Sequence, residues 1–304
     1  MKSIPFPLRA LSVQNGIELS RHGSLLQNIF IYFPSLSVPY THLIGHLSTI
    51  PIPVYLRPIL YGIYAYYYGV NMKEANEDFR AYKNFALFFI RPLKPGSRSI
   101  DNSLLVSPAD GIVVQCGEVV GRKIDKIKDH EYEIDELLGP VDSKATPPNK
   151  LYQFVIHLLP KDYHAFHSPA NWEVHTKVEH KGHMLPVKIR KWVPAWFCIN
   201  ARVCLIGKWK YGFFSMTPVA ATTVGKIALD PGPMLSPAHE RDRERTGDYA
   251  IYDQHFRYRH GDKIGEFHAG SIIVLIFEAP PGLKFCVKPD QTLHYGNRIV
   301  ETEL

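Results

Sequence analysis

Cysteine is scarce, and no Cys-x-x-Cys pair occurs among Cys116, Cys198, Cys204 and Cys286. A disulfide framework is therefore not what organises the chain; buried or reduced thiols fit better. Long apolar runs are missing too. None reaches the roughly 18–20 uninterrupted residues that a spanning helix needs, and the nearest, residues 25–38, is broken by Gln27, Asn28 and Pro34. If the chain meets a membrane, it is expected to lie on it. There is no internal repeat, no regular βαβ alternation and no Gly-x-Ser-x-Gly elbow, which argues against a hydrolase of that type. Acidic residues are in deficit, 29 against 35 Lys and Arg, giving a net charge of +6 in 304 residues. That balance suits an anionic membrane surface, and no nucleic-acid role is expected.

What is present divides into two textures. Residues 1–98 read as mostly helical and membrane-associating. The first 17 carry Lys2, Arg9 and serines with no acid before Glu18, which faintly resembles a mitochondrial presequence; an ordinary polar N-terminal arm is the alternative. Residues 54–70 are rich in Tyr, Leu and Ile. Asn76-Glu77-Asp78 then resembles a helix cap, followed by Phe79, Tyr82, Phe85 and Phe89 at helical spacing up to Pro92. These aromatics are expected as packed core, with some of the tyrosine-rich face at a lipid interface. Residues 99–304 read as a β-rich catalytic domain. Short β-prone runs fall at 112–120, 151–159, 174–178, 202–209, 213–227 and 271–277, punctuated by Gly, Pro and Asn. The fold class expected is α+β, a helical N-terminal region packed on a mainly antiparallel β domain. The charged stretch between Asp230 and Asp262, with His239-Glu240-Arg241-Asp242-Arg243-Glu244-Arg245, reads as a solvated loop.

Three segments carry chemistry. Ser107-Pro108-Ala109-Asp110-Gly111 is a turn that delivers a carboxylate to the start of a strand. In Tyr163-His164-Ala165-Phe166-His167-Ser168-Pro169 two imidazoles lie three residues apart. No further Cys, Asp or Glu stands at ligand spacing, so structural histidines are favoured and no metal site is assigned. The third segment, Gly265-Glu266-Phe267-His268-Ala269-Gly270-Ser271, leads into the apolar Ile272-Ile273-Val274. Glycine leaves its carbonyl open, and the next residue's hydroxyl is the nucleophile closest to it.

Together these segments resemble the phosphatidylserine decarboxylases, most closely the animal mitochondrial type. The resemblance runs from about Tyr55 to Gly296. It also takes in Gly69-Val70-Asn71-Met72-Lys73-Glu74-Ala75, Trp209-Lys210 with Gly212-Phe213-Phe214-Ser215, Ala221-Thr222 with Val224-Gly225, and Ile276-Phe277-Glu278-Ala279-Pro280. It implies a proenzyme that cleaves itself between Gly270 and Ser271 into a long chain, 1–270, and a short chain, 271–304. Ser271 is then the nucleophile, His167 the base that takes its proton, and Asp110 the carboxylate that orients His167. The ester formed eliminates to dehydroalanine, which hydrolyses to a pyruvoyl group at the new N-terminus.

That covalent pyruvoyl cofactor, derived from Ser271, condenses with the amine of phosphatidylserine and draws off electrons as carbon dioxide departs. His164 is the implied proton donor to the carbanion, and phosphatidylethanolamine is the product. The resemblance further implies phosphatidylserine in a membrane as partner, processed chains that stay together, and the mitochondrial inner membrane as location. It leaves room for a homodimer. Three positions depart from the family pattern. Ala201 stands where a Glu is usual before Arg202, removing a partner for a nearby cation. Ile272 replaces Thr or Ser, and Ala269 replaces a larger apolar residue. An uncleaved lipid-binding homologue and a Ser-His-Asp hydrolase are the competing readings.

Overall fold

The computed structural model describes residues 29–30, 32–127, 130–187, 196–222, 227–230, 241–268 and 272–301. Among these the helices are α1 Ser37–Ser48, α2 Arg57–Tyr68, α3 Phe85–Phe89, α4 Ile134–Leu138 and α5 Trp196–Ile199. The strands are β1 Gly111–Glu118, β2 Lys123–Ile127, β3 His130–Glu133, β4 Lys150–His157, β5 Ala165–His167, β6 Trp172–His180 and β7 Arg202–Trp209. They continue with β8 Gly212–Val219, β9 Ile227–Leu229, β10 Arg241–Arg245, β11 Tyr249–Tyr258, β12 Lys263–Phe267, β13 Ile272–Ala279 and β14 Thr292–Leu293. The architecture is mainly antiparallel β sheet with few helices.

One sheet dominates, in the order β10-β11-β6-β7-β8-β13-β4-β1-β14, with every pairing antiparallel. A small sheet, β5-β12-β9, carries the histidine segment. Position in the large sheet follows composition. β13, Ile-Ile-Val-Leu-Ile-Phe-Glu-Ala, has no polar face to offer water; all eight residues are buried, and the strand is paired on both edges. The one charge in it, Glu278, is accommodated by donors. Its carboxylate accepts from the backbone N–H groups of Thr146 and Phe213, both at 2.9 Å, and from Asn149 Nδ2 at 3.0 Å. Gly212, at φ +117, leaves room for that carboxylate, since a Cβ there would sit 2.2 Å from Oε2.

Two sequence expectations are corrected. The described part of the stretch 230–262 is not all loop: in it β10 and β11 form one margin of the large sheet. Residues 241–245 form the outermost strand of that sheet. His239 and Glu240 lie outside the described residues. The helix expected to start at Asn76-Glu77-Asp78 starts instead at Asn84, whose Oδ1 accepts from Leu87 N–H at 2.9 Å. Residues 75–82 are held otherwise. Ala75 bridges Leu93, and the Asp78 carboxylate closes a turn on Arg80 N–H. The aromatics of this region do pack: Tyr61, Tyr82 and Phe88 form a buried cluster, with Tyr61 stacked on Phe88 at 4.5 Å. α2 ends where Gly69 adopts φ 76. The β-prone run 213–227 covers β8 from Phe213 and only the first residue of β9, which belongs to the small sheet.

Replacing Glu278 by alanine strands three donors in the interior and is expected to cost about 3 kcal/mol of stability. Urea denaturation measures it, and a loss below about 1 kcal/mol would show that these hydrogen bonds contribute little.

Candidate active site

Of the predicted residues the structure describes Asp110, His164 and His167, on two segments that meet. Asp110 is the last residue before β1, where Gly111 lies against the end of β4; a Cβ there would meet the His157 carbonyl oxygen at 2.4 Å. His167 N–H donates to Pro108 O at 2.7 Å, tying the histidine segment to the Asp110 turn. Ile272 opens β13 opposite His157 of β4 and Val219 of β8. Ala269, Gly270 and Ser271 lie outside the described residues.

His164 and His167 do not share a helical turn. Ala165–His167 is a strand, and residues three apart on extended chain face opposite sides. The two imidazoles accordingly have different neighbours. His164 is fully buried against Phe89, ring centres 4.1 Å apart, and His167 stacks on Tyr295 at 4.0 Å with the planes 5° apart. Each uses Nδ1 on a backbone carbonyl, His164 on Asp162 O at 2.8 Å and His167 on Gly261 O at 2.9 Å. A carbonyl only accepts, so in the neutral ring Nδ1 carries the hydrogen and Nε2 presents a lone pair. Both Nε2 atoms are buried without a partner among the described residues. Burial, reinforced by the Arg91 guanidinium, pushes the His164 pKa down to about 3. Burial also lowers that of His167, against the pull of its bond to Gly261. At neutral pH both are bases.

Asp110 is buried and surrounded by donors. Arg98 Nη2 reaches its Oδ2 at 2.6 Å, His294 Nδ1 the same oxygen at 3.2 Å, and Tyr295 N–H its Oδ1 at 2.8 Å. Arg98 Nη2 also reaches Glu74 at 2.8 Å. Burial alone would raise the Asp110 pKa, but the bonds from His294, Arg98 and Tyr295 outweigh it and hold the carboxyl below its usual range. The same contact raises the pKa of His294. The structure does not join Asp110 to His167 by a hydrogen bond; Tyr295 lies between them, touching one through its backbone and the other through its ring.

Sequence reasoning missed four participants: His157, His268, His294 and Tyr295. A cavity of about 430 Å³ opens beside the start of β13 and is lined by His157, His268 and Thr222, with Tyr64, Phe85 and Phe89 opposite. His157 ends an apolar strand and His268 stands three residues before Ser271, signals present in the sequence but weak alone. His294 and Tyr295 lie more than 180 residues from Asp110, and nothing local marks them. The departure at Ala201 has a visible consequence. Buried Arg202 is satisfied without a carboxylate, by the carbonyls of Leu137, Cys198, Asn200 and Glu136.

Two neutral imidazoles with unpartnered Nε2 atoms and a buried carboxylate lie on segments that meet, the group types that acid–base chemistry uses. The family model described as phosphatidylserine decarboxylase matches residues 85–301. The chain is 43% identical over 271 residues to the mitochondrial phosphatidylserine decarboxylase proenzyme of Caenorhabditis elegans, covering 87% of this chain and 72% of that protein. To the protein of the same name from Rattus norvegicus it is 35% identical over 283 residues, covering 84% and 70%. To the mitochondrial proenzyme 1 of Arabidopsis thaliana it is 29% identical over 347 residues, covering 94% and 76%. The chain belongs to the phosphatidylserine decarboxylase family.

Because unfolded His164 binds a proton that the folded residue refuses, stability falls as pH drops below the ordinary histidine pKa and towards the lowered one. His164→Phe should flatten the dependence of unfolding free energy on pH by about 1.4 kcal/mol per unit between about pH 6 and about pH 4. Urea denaturation at both values checks it; parallel slopes would mean that His164 titrates normally in the fold.

Proposed function

We propose that the chain is a self-processing phosphatidylserine decarboxylase, a carboxy-lyase whose nucleophile is Ser271 and whose scissile bond is Gly270–Ser271. The observation that carries this reading is the pair of buried imidazoles with unpartnered Nε2 atoms, on a segment that His167 N–H ties to the Asp110 turn. His167 takes the serine proton as its hydroxyl attacks the Gly270 carbonyl. A pyruvoyl group formed from Ser271 fits here, because the Nε2 atoms of His164 and His167 have no partner among the described residues and a nearby cavity is lined largely by apolar side chains. That group supplies the electron sink for loss of carbon dioxide. The substrate's ammonium must shed a proton before its nitrogen can react. His164 Nε2 relays a solvent proton to carbon after decarboxylation. A ring with so low a pKa holds a proton weakly and gives it up readily.

In this reading residues 1–98 form a helical, membrane-associating region packed on a catalytic domain of residues 99–304. Its supports are the hydrogen bonds from Tyr64 Oη to Pro160 O at 3.1 Å and from Arg91 Nη2 to Lys161 O at 2.6 Å. Leu43 and Leu47 of α1 and Ile59, Ile63 and Tyr66 of α2 are exposed, Tyr66 to 93%, and no described helix is long and apolar enough to cross a membrane. Apolar and aromatic side chains of this kind seat a protein in the lipid interface. With relatives named as mitochondrial, the surface assigned is that of the mitochondrial inner membrane. After cleavage the short chain stays bound, because β13 is paired on both sides by long-chain strands.

His167→Ala is expected to leave a single uncleaved chain. His164→Ala should still cleave but form phosphatidylethanolamine about a hundredfold more slowly per processed molecule. A denaturing gel beside a product assay reads both, and a His164→Ala enzyme with normal turnover would remove His164 from the chemistry. Ile63→Asp should lower recovery on vesicles containing phosphatidylserine without changing self-cleavage; undiminished recovery would take the α2 face out of membrane docking.

A further inference from the structure

The carboxylate that should orient the base does not touch it. Asp110 spends its oxygens on Arg98, on His294 Nδ1 and on the backbone N–H of Tyr295. His167 has its Nδ1 on Gly261 O and one face of its ring flat on Tyr295. The turn carrying Tyr295 is fastened on several sides. His294 N–H donates to Asn297 Oδ1, Gly296 N–H to Ser107 O, and Ser107 N–H to Asn297 O, at 2.8, 3.0 and 2.8 Å. Gly296, at φ 85, is required there, since a Cβ would meet Ser99 O at 2.6 Å.

Resting on the reading of His167 as the base of self-cleavage, we infer that Tyr295 is its positioning residue and that Asp110 acts on His167 through it. Asp110 fixes the turn, the turn presents the tyrosine ring, and the ring fixes the plane of the His167 imidazole. Gly261 O selects the tautomer, a task the carboxylate performs in a directly bonded triad. The stack also meets the other requirement placed on such a carboxylate. When His167 takes the serine proton it becomes a cation, and the electron-rich face of the phenol ring stabilises it. Tyr163 packs against both rings, with centres 5.8 Å from each, and closes the group. Tyr295 belongs to the segment that becomes the short chain, so the base of the long chain would be held in place by the fragment it releases.

The test is the rate of self-cleavage in the full chain, followed on a denaturing gel from synthesis onward, with thermal melting as the folding control. Tyr295→Leu removes the planar face and should slow cleavage about tenfold or more, the size expected when a reacting group loses its alignment. Tyr295→Phe keeps the face, loses only the hydroxyl, and should restore a rate near that of the natural chain. A leucine variant that no longer melts cooperatively is replaced by Tyr295→Met, closer to tyrosine in volume, and read the same way. Cleavage of the leucine or methionine variant at the natural rate overturns the inference. So does a phenylalanine variant as slow as leucine, which would assign the effect to the hydroxyl. His167→Ala, run alongside, separates the two levels. Normal cleavage there removes the base itself. A blocked His167→Ala beside an unaffected Tyr295→Leu removes only the stacking role.

Discussion

The site depends on the burial of β13 between two partner strands. A strand with eight buried residues cannot slide by one position without turning Glu278 away from its donors and reversing every apolar side chain. Its first residue is therefore fixed relative to His157 on one side and Val219 on the other. His157, which pairs with that first residue, also lines the apolar cavity.

Electrostatics around His164 and His167 follow from burial too. Desolvation disfavours the charged imidazole, so His164 and His167 are neutral at physiological pH and present lone pairs. The carboxylate nearby is kept ionised by the opposite means, an arginine, a histidine and a backbone amide converging on it. Environments that push titratable groups apart in this way assign bases and anions without any metal-ligand set. His294, partly exposed and raised by its contact with Asp110, carries the change from buried network to solvent.

Much of the fold was legible because strand composition reports burial. The runs around 151–159, 202–209 and 271–277 are dense in branched and aromatic residues, and they became interior strands β4, β7 and β13. What failed had local signals that tertiary contacts override. Aromatics at helical spacing from Phe79 onward serve a cluster with Tyr61 rather than one continuous helix. A charge-dense segment looked like solvent-facing loop when it was an outer strand. Asp110, His164 and His167, the residues proposed for the chemistry, were visible as motif members. The contact through which Asp110 reaches His167 was not, because it runs through a turn about 185 residues away, and no spacing rule covers that separation.

The central claim is that Ser271 becomes the blocked N-terminus of a separate short chain. Intact-mass spectrometry of the purified protein under denaturing conditions tests it most directly. Expected are two species, one ending at Gly270 and one covering residues 271–304 that is lighter than the genetic sequence by one ammonia and resists Edman degradation. A single full-length mass, or a short chain beginning with an unmodified serine, would contradict it.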